Sequence, residues 1–197
     1  MKDISTLFNN YLCKQNSCLE EILKNDSSIN NIISILIDAR NSGKKIYTFG
    51  NGGSASTASH LVSDLLKTTI TKDVKRFFAI SLVDNFAVNS AWANDVSYND
   101  IFIEQLRNFL TDGDIVIAFS GSGTSINVTN ALEYAKTKGA TTIGFTGKNG
   151  GKFPKICDYC YLVPSNNMLI IESFHLMICH GIISTIRELG DPIFKYE

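Results

Sequence analysis

Lys45-Ile46-Tyr47-Thr48-Phe49-Gly50-Asn51-Gly52-Gly53-Ser54 is the stretch whose reading decides the fold. Five residues of strand character run directly into a glycine-rich turn, and a helix is expected from about 54 to 67. Asp114-Ile115-Val116-Ile117-Ala118-Phe119 repeats the pattern and runs into Ser120-Gly121-Ser122-Gly123-Thr124-Ser125. A helix is predicted after it, from Asn127 to Lys138, with Gly139 at its end. Three further strands are expected: 77–82, 141–146 and 159–163. Helical segments are read at 84–92 and 99–110, and a long final helix at 167–188.

Short apolar runs alternating with helices specify a parallel sheet covered on both faces. The fold class is therefore α/β, a three-layer α-β-α sandwich around a five-stranded parallel sheet. The right-handed crossover rule opens the C-terminal ends of all strands on one edge, where ligands bind in such sheets. Two helices, 3–24 and 28–42, precede the first strand. Ile29, Ile32, Ile33, Leu36 and Ile37 give the second its 3.6-residue period, and Asp26, Ser27 or Ser28 can cap it. Residues 1–43 thus form a helical extension and residues 44–197 the domain proper, read as one structural unit.

Composition narrows the function classes. Of 197 residues, 44% are hydrophobic and 19% charged, with three prolines, which fits a globular chain and no collagen-like one. Eighteen basic side chains balance nineteen acidic ones, for a formal charge of −1. Such a surface offers no global field for nucleic acid. Five cysteines at 13, 18, 157, 160 and 179, without an apolar leader in MKDISTLFNN, predict free thiols in a reducing compartment. Glu172, His175 and His180 interrupt the most apolar stretch, so no membrane span is expected. Cys157-x-x-Cys160 has no second such pair, and a structural role is expected for it.

The two loops, 50–54 and 120–125, share one physics. Each ends a strand and begins a helix, where free N–H groups and the positive dipole end attract an anion. Serine and threonine hydroxyls add donors. Neither loop is a dinucleotide or triphosphate signature, since GNGGSA lacks the third glycine of G-x-G-x-x-G and no G-x-x-x-x-G-K-[ST] exists. A phosphate group is the expected ligand.

Only three histidines occur. His60 and Asp64, four residues apart, share a helix face. Glu172 and His180, eight apart on the last helix, are separated by roughly 80° and about 12 Å, too far for one small site on an ideal helix. His175 points elsewhere and reads as a packed core or interface residue. Imidazoles and carboxylates together suit zinc, and the same groups suit metal-free acid–base work.

FGNGGSASTASH at 49–60, AWANDVSYNDIF at 91–102, FSGSGTSINV at 119–128, GFTGKNGG at 144–151 and VPSNNMLIIESFHLMICH at 163–180 together resemble the sugar isomerase (SIS) domain family, in its single-domain phosphoheptose isomerase branch. The resemblance implies a cytoplasmic homotetramer with sites at subunit interfaces. It implies interconversion of sedoheptulose 7-phosphate and D-glycero-D-manno-heptose 7-phosphate for bacterial surface polysaccharide, with one zinc ion per site and no nucleotide cofactor. Its phosphate contacts fall on Ser54, Ser120, Ser122 and Ser125, with Asn51, Gly52 and Gly53 shaping the first loop. Its substrate-facing aspartate falls on Asp84. His60, Asp64, Glu172 and His180 are the implied metal set, Asp64 and His180 the catalytic pair, and Glu172 a substrate contact as well. Three departures stand out. Asp64 replaces the usual glutamate, Glu172 replaces a glutamine, and Gly121 stands where a threonine is common. The alternatives are isomerisation of a different phosphosugar and a non-catalytic phosphosugar- or protein-binding module, like the branch that binds a replication initiator.

Overall fold

Residues 3–25 and 28–195 of the chain are described by the computed structural model. The expected caps Asp26 and Ser27 lie outside them. Five strands, β1 (Lys45–Gly50), β2 (Phe78–Ser81), β3 (Ile115–Phe119), β4 (Thr141–Gly147) and β5 (Tyr159–Val163), form one parallel sheet in the order β2-β1-β3-β4-β5. Strand order reverses between β1 and β3, which pair from Ile46 with Ile115 to Gly50 with Phe119. The two glycine-rich loops therefore leave neighbouring strands at the point where the sheet winds in opposite directions, the usual ligand crevice of this architecture.

Among the described residues, eight α-helices surround the sheet: α1 (Ile4–Asn25), α2 (Ser28–Ser42), α3 (Gly53–Ser63), α4 (Phe86–Asp95), α5 (Ile103–Phe109), α6 (Ile126–Thr137), α7 (Phe153–Ile156) and α8 (Met168–Glu188). Alternation along the strands divides the core. Ile46, Ile115, Ile117 and Phe119 face a cluster shared with α2, α3 and α8. Tyr47, Phe49, Val116 and Ala118 face a second cluster shared with α5, α6 and α7. The expected three-layer sandwich is thus present.

The element boundaries correct the sequence reading in three places. The helix expected over 54–67 ends at Ser63, and Asp64–Thr68 continues as a π-turn. The segment 99–110 is a 3₁₀ turn at Tyr98–Asp100 followed by the short α5, with α4 running on through Asp95. The short α7 was not expected from the sequence. Pro154 at its start supplies a fixed φ suited to a first helical turn.

The helical extension is not peripheral throughout. Ile32, Leu36 and Ala39 of α2 are buried in the same cluster as β1 and α8. In contrast, α1 buries Cys18 and Ile22 and exposes Ile4, Leu7, Phe8 and Leu12. Helix α8 is long and apolar enough by composition to cross a bilayer. Its Ile170, Phe174, Ile178, Ile182 and Ile186 are instead buried against the sheet layer, so its apolarity is that of a core helix. All five cysteines are free, as expected. Burial raises the Cys157 thiol to about 12 and the Cys160 thiol to about 11, which leaves both inert at neutral pH and supports their structural role.

Candidate active site

The serine loops converge as expected. Ser54, Ser120, Ser122 and Ser125 line one cavity of about 190 Å³, together with Asn51, Gly121, Met168 and Glu172. Ser120 Oγ lies 3.4 Å from both Ser122 Oγ and Ser125 Oγ, and Thr124 Oγ1 donates to Ser122 Oγ over 3.1 Å. A knot of hydroxyls that satisfy one another only at long range is ready to turn toward an anion.

Helix ends supply the second half of the cradle. Asn85 and Asn167 cap α4 and α8 with their side chains, in the ordinary way. The two helices that start at the cavity are different. Gly52 at the head of α3 has φ +58° and no side chain to offer, and Ser125 at the head of α6 makes no capping bond. Neither residue caps its helix with a side chain; the Ser54 and Ala55 amides turn back to the Asn51 and Gly52 carbonyls, and the Val128 amide donates to Asn127 Oδ1 over 3.0 Å.

Asn51 shapes the loop, as the resemblance implies, through contacts the sequence did not disclose. Its amide exchanges two hydrogen bonds of 2.9 Å with Asn127 of α6, and the Tyr98 hydroxyl donates to Asn51 Oδ1 over 2.9 Å. These bonds tie the β1 loop to the first turn of α6 and to the 3₁₀ turn at Tyr98.

Along the groove between α3 and α8 lies a second cluster. His60 Nε2 and His180 Nε2 are 2.9 Å apart, and Asp64 Oδ2 lies 3.4 Å from the first and 3.7 Å from the second. A 2.9 Å contact between two imidazole nitrogens is a hydrogen bond, so one ring donates and the other accepts. The imidazoles are half exposed while the Asp64 side chain is only 16% exposed, which places a shielded carboxylate beneath two accessible rings. Thr68, at the end of the π-turn, donates to Asp64 Oδ1 over 2.9 Å. One carboxylate oxygen is thus fixed and the other faces the rings. Arg187 of α8 holds the turn by donating to the Thr68 carbonyl over 3.2 Å. Asp64 keeps regular helical geometry, with its amide on the His60 carbonyl, and the π-turn runs on from it to Thr68. The cluster opens into a cavity of about 520 Å³ bordered by Asp64, Thr68, His180 and Arg187.

The structure divides the expected metal set. His60, Asp64 and His180 bring their ligand atoms within 4.8 Å of one another, and Glu172 does not join them. The reason is the separation along α8: eight residues of helix rise about 12 Å. Glu172 stands at the other end of the groove, with its carboxylate over Gly53, where a Cβ would collide with it. Asp84 is exposed and bonded to Ser59, which precedes His60 on α3, and it does not line the serine cavity. His175 is fully buried against Phe119 and Phe145, the core residue expected.

The α/β fold thus carries a serine-lined cavity at the heads of α3 and α6 and a His60–Asp64–His180 cluster between α3 and α8. Comparison with known proteins gives the class. The SIS domain model matches residues 10–147, and the chain belongs to that family. It is 38% identical over 172 residues to a phosphoheptose isomerase of Clostridium acetobutylicum, covering 86% of this chain and 87% of that protein. It is 32% identical over 187 residues to one from Bradyrhizobium sp. ORS 278, covering 93% and 94%. The structure of a phosphoheptose isomerase from Francisella tularensis superposes with a TM-score of 0.89 at 25% identity, covering 94% of this chain and 99% of that one.

Proposed function

We propose that the chain is an aldose–ketose isomerase of a phosphosugar, with sedoheptulose 7-phosphate and D-glycero-D-manno-heptose 7-phosphate as its substrate pair. The observation that carries this reading is the pairing of a serine-lined cavity at the heads of α3 and α6 with the His60–Asp64–His180 cluster between α3 and α8.

The phosphate sits among Ser54, Ser120, Ser122 and Ser125. Binding energy gathered there orients the sugar, whose reacting end reaches the cluster. Asp64 takes the proton from the carbon beside the carbonyl. His180 donates a proton to the carbonyl oxygen, giving an enediol, and reversal at the neighbouring carbon completes the exchange. His60 is hydrogen-bonded to His180 and can pass the proton it needs. Hydrogen moves within one molecule, so no redox cofactor is required by the chemistry.

Two imidazole nitrogens and one carboxylate oxygen within 4.8 Å fit a borderline divalent cation such as zinc. His60, Asp64 and His180 would hold it in exchange for the His60–His180 hydrogen bond, Asp64 serving as ligand and base in alternation, and it would polarise the carbonyl and stabilise negative charge on oxygen. A homotetramer is the assembly we favour, because the apolar residues exposed on α1 and Phe86 on α4 need a partner surface.

Incubation of the purified protein with sedoheptulose 7-phosphate, followed by detection of the aldose, tests the activity. Asp64→Asn and His180→Ala are expected to lower kcat by about 10²–10⁴. Turnover unchanged in both variants would remove the assigned roles. Turnover only of another phosphosugar would move the substrate.

A further inference from the structure

Glu172 is a carboxylate placed where an anion is meant to bind. It lines the same cavity as Ser54, Ser120, Ser122 and Ser125, and its head lies over Gly53 in the first turn of α3. Among the described residues it has neither an ion-pair nor a hydrogen-bond partner. Half-buried and unpaired, its carboxylate stands beside the first turn of α3, whose N-cap Gly52 brings no side chain to the same place. A phosphate dianion entering the serine cavity meets a like charge that lines the same space.

We infer that Glu172 is an internal competitor for the phosphate cradle: it occupies the head of α3 when the cradle is empty, leaves when phosphate enters, and thereby sets how tightly the chain holds an anionic sugar. This rests on the reading of the serine cavity as the phosphate site. The small side chain at residue 53 is part of the device, since any larger residue there would block the carboxylate from the helix end. A neutral amide in the place of Glu172 would have the same shape without the charge. The competition is therefore a property of the charge, and not of the volume, of this one side chain.

Inorganic phosphate is the probe, titrated calorimetrically into the wild-type protein and into Glu172→Gln at pH 7.5. The variant is expected to bind phosphate about tenfold or more tightly and, in turnover, to show a lower KM for the phosphosugar. A crystal structure of the wild-type protein with phosphate supplies the second measurement, and in it the Glu172 carboxylate should have left Gly53. Equal affinity in the two proteins, or a carboxylate still over Gly53 with phosphate bound, overturns the competition and leaves the cradle standing. Failure of both proteins to bind phosphate overturns the cradle, and the inference with it.

Discussion

Thr68 shows how much of the site hangs on a residue that carries no chemistry. Its hydroxyl fixes Asp64 Oδ1, so that Oδ2 alone faces His60 and His180. Thr68→Val should therefore lower kcat by about ten- to a hundredfold with KM little changed, and Thr68→Ser should restore it, as steady-state kinetics will read. His175 acts on stability instead. Neither ring nitrogen has a hydrogen-bond partner, and burial lowers its pKa from 6.5 to about 4, with the nearby backbone of Thr146 a weaker pull the other way. The unfolded chain then takes up a proton that the folded ring refuses. Stability should be full above pH 6.5 and fall between 6.5 and 4 by roughly 3 kcal/mol, levelling off below. Urea unfolding across that range checks it, and His175→Phe should flatten the profile. At this scale the sequence disclosed the pairing of His60 with Asp64, because few histidines exist and the two share a helix face. It did not disclose Thr68, Asn127 or Tyr98, whose partners depend on a π-turn and on loops brought together from distant positions.

At the scale of elements, the legible features were those with strong local signals. The period of α2, the apolar strands and the glycine turns each announce themselves. Less legible was 99–110, where a 3₁₀ turn precedes a seven-residue helix and tertiary contacts of Ile101, Phe102 and Leu106 hold what propensity alone does not. Glu172 illustrates the opposite case: helix geometry alone separated it from His180, and the structure keeps that separation. The start of α8 is set by Asn167, whose side chain accepts from the Leu169 and Ile170 amides at 3.0 and 3.4 Å. Asn167→Ala should cost about 1 kcal/mol in chemical denaturation. Leu36→Ala, in the buried face of α2, should cost about 2–5 kcal/mol and show that the extension belongs to the folding unit.

The whole molecule was legible in its layers and not in its surface. Alternation of strands and helices specifies the sandwich, while the apolar residues left open on α1 become visible only once the core is assigned. Ile4 is 82% and Phe8 62% exposed, more than a lone chain ordinarily leaves so near one another on one helix. Sedimentation should show a species of about four times the 21.7 kDa chain, and Phe8→Glu should shift it toward smaller assemblies.

Helices α3 and α8 run side by side in the same direction, Gly53 against Glu172 at their heads and His60 against His180 further down. Backbone rise along them, about 10 Å over seven residues, thereby acts as a ruler between the anchored end of a ligand and the end that reacts. On the proposed function, a ketose phosphate two carbons shorter, seated by its phosphate, should be converted with a lower kcat/KM than the heptose, which a comparison of the two substrates reads.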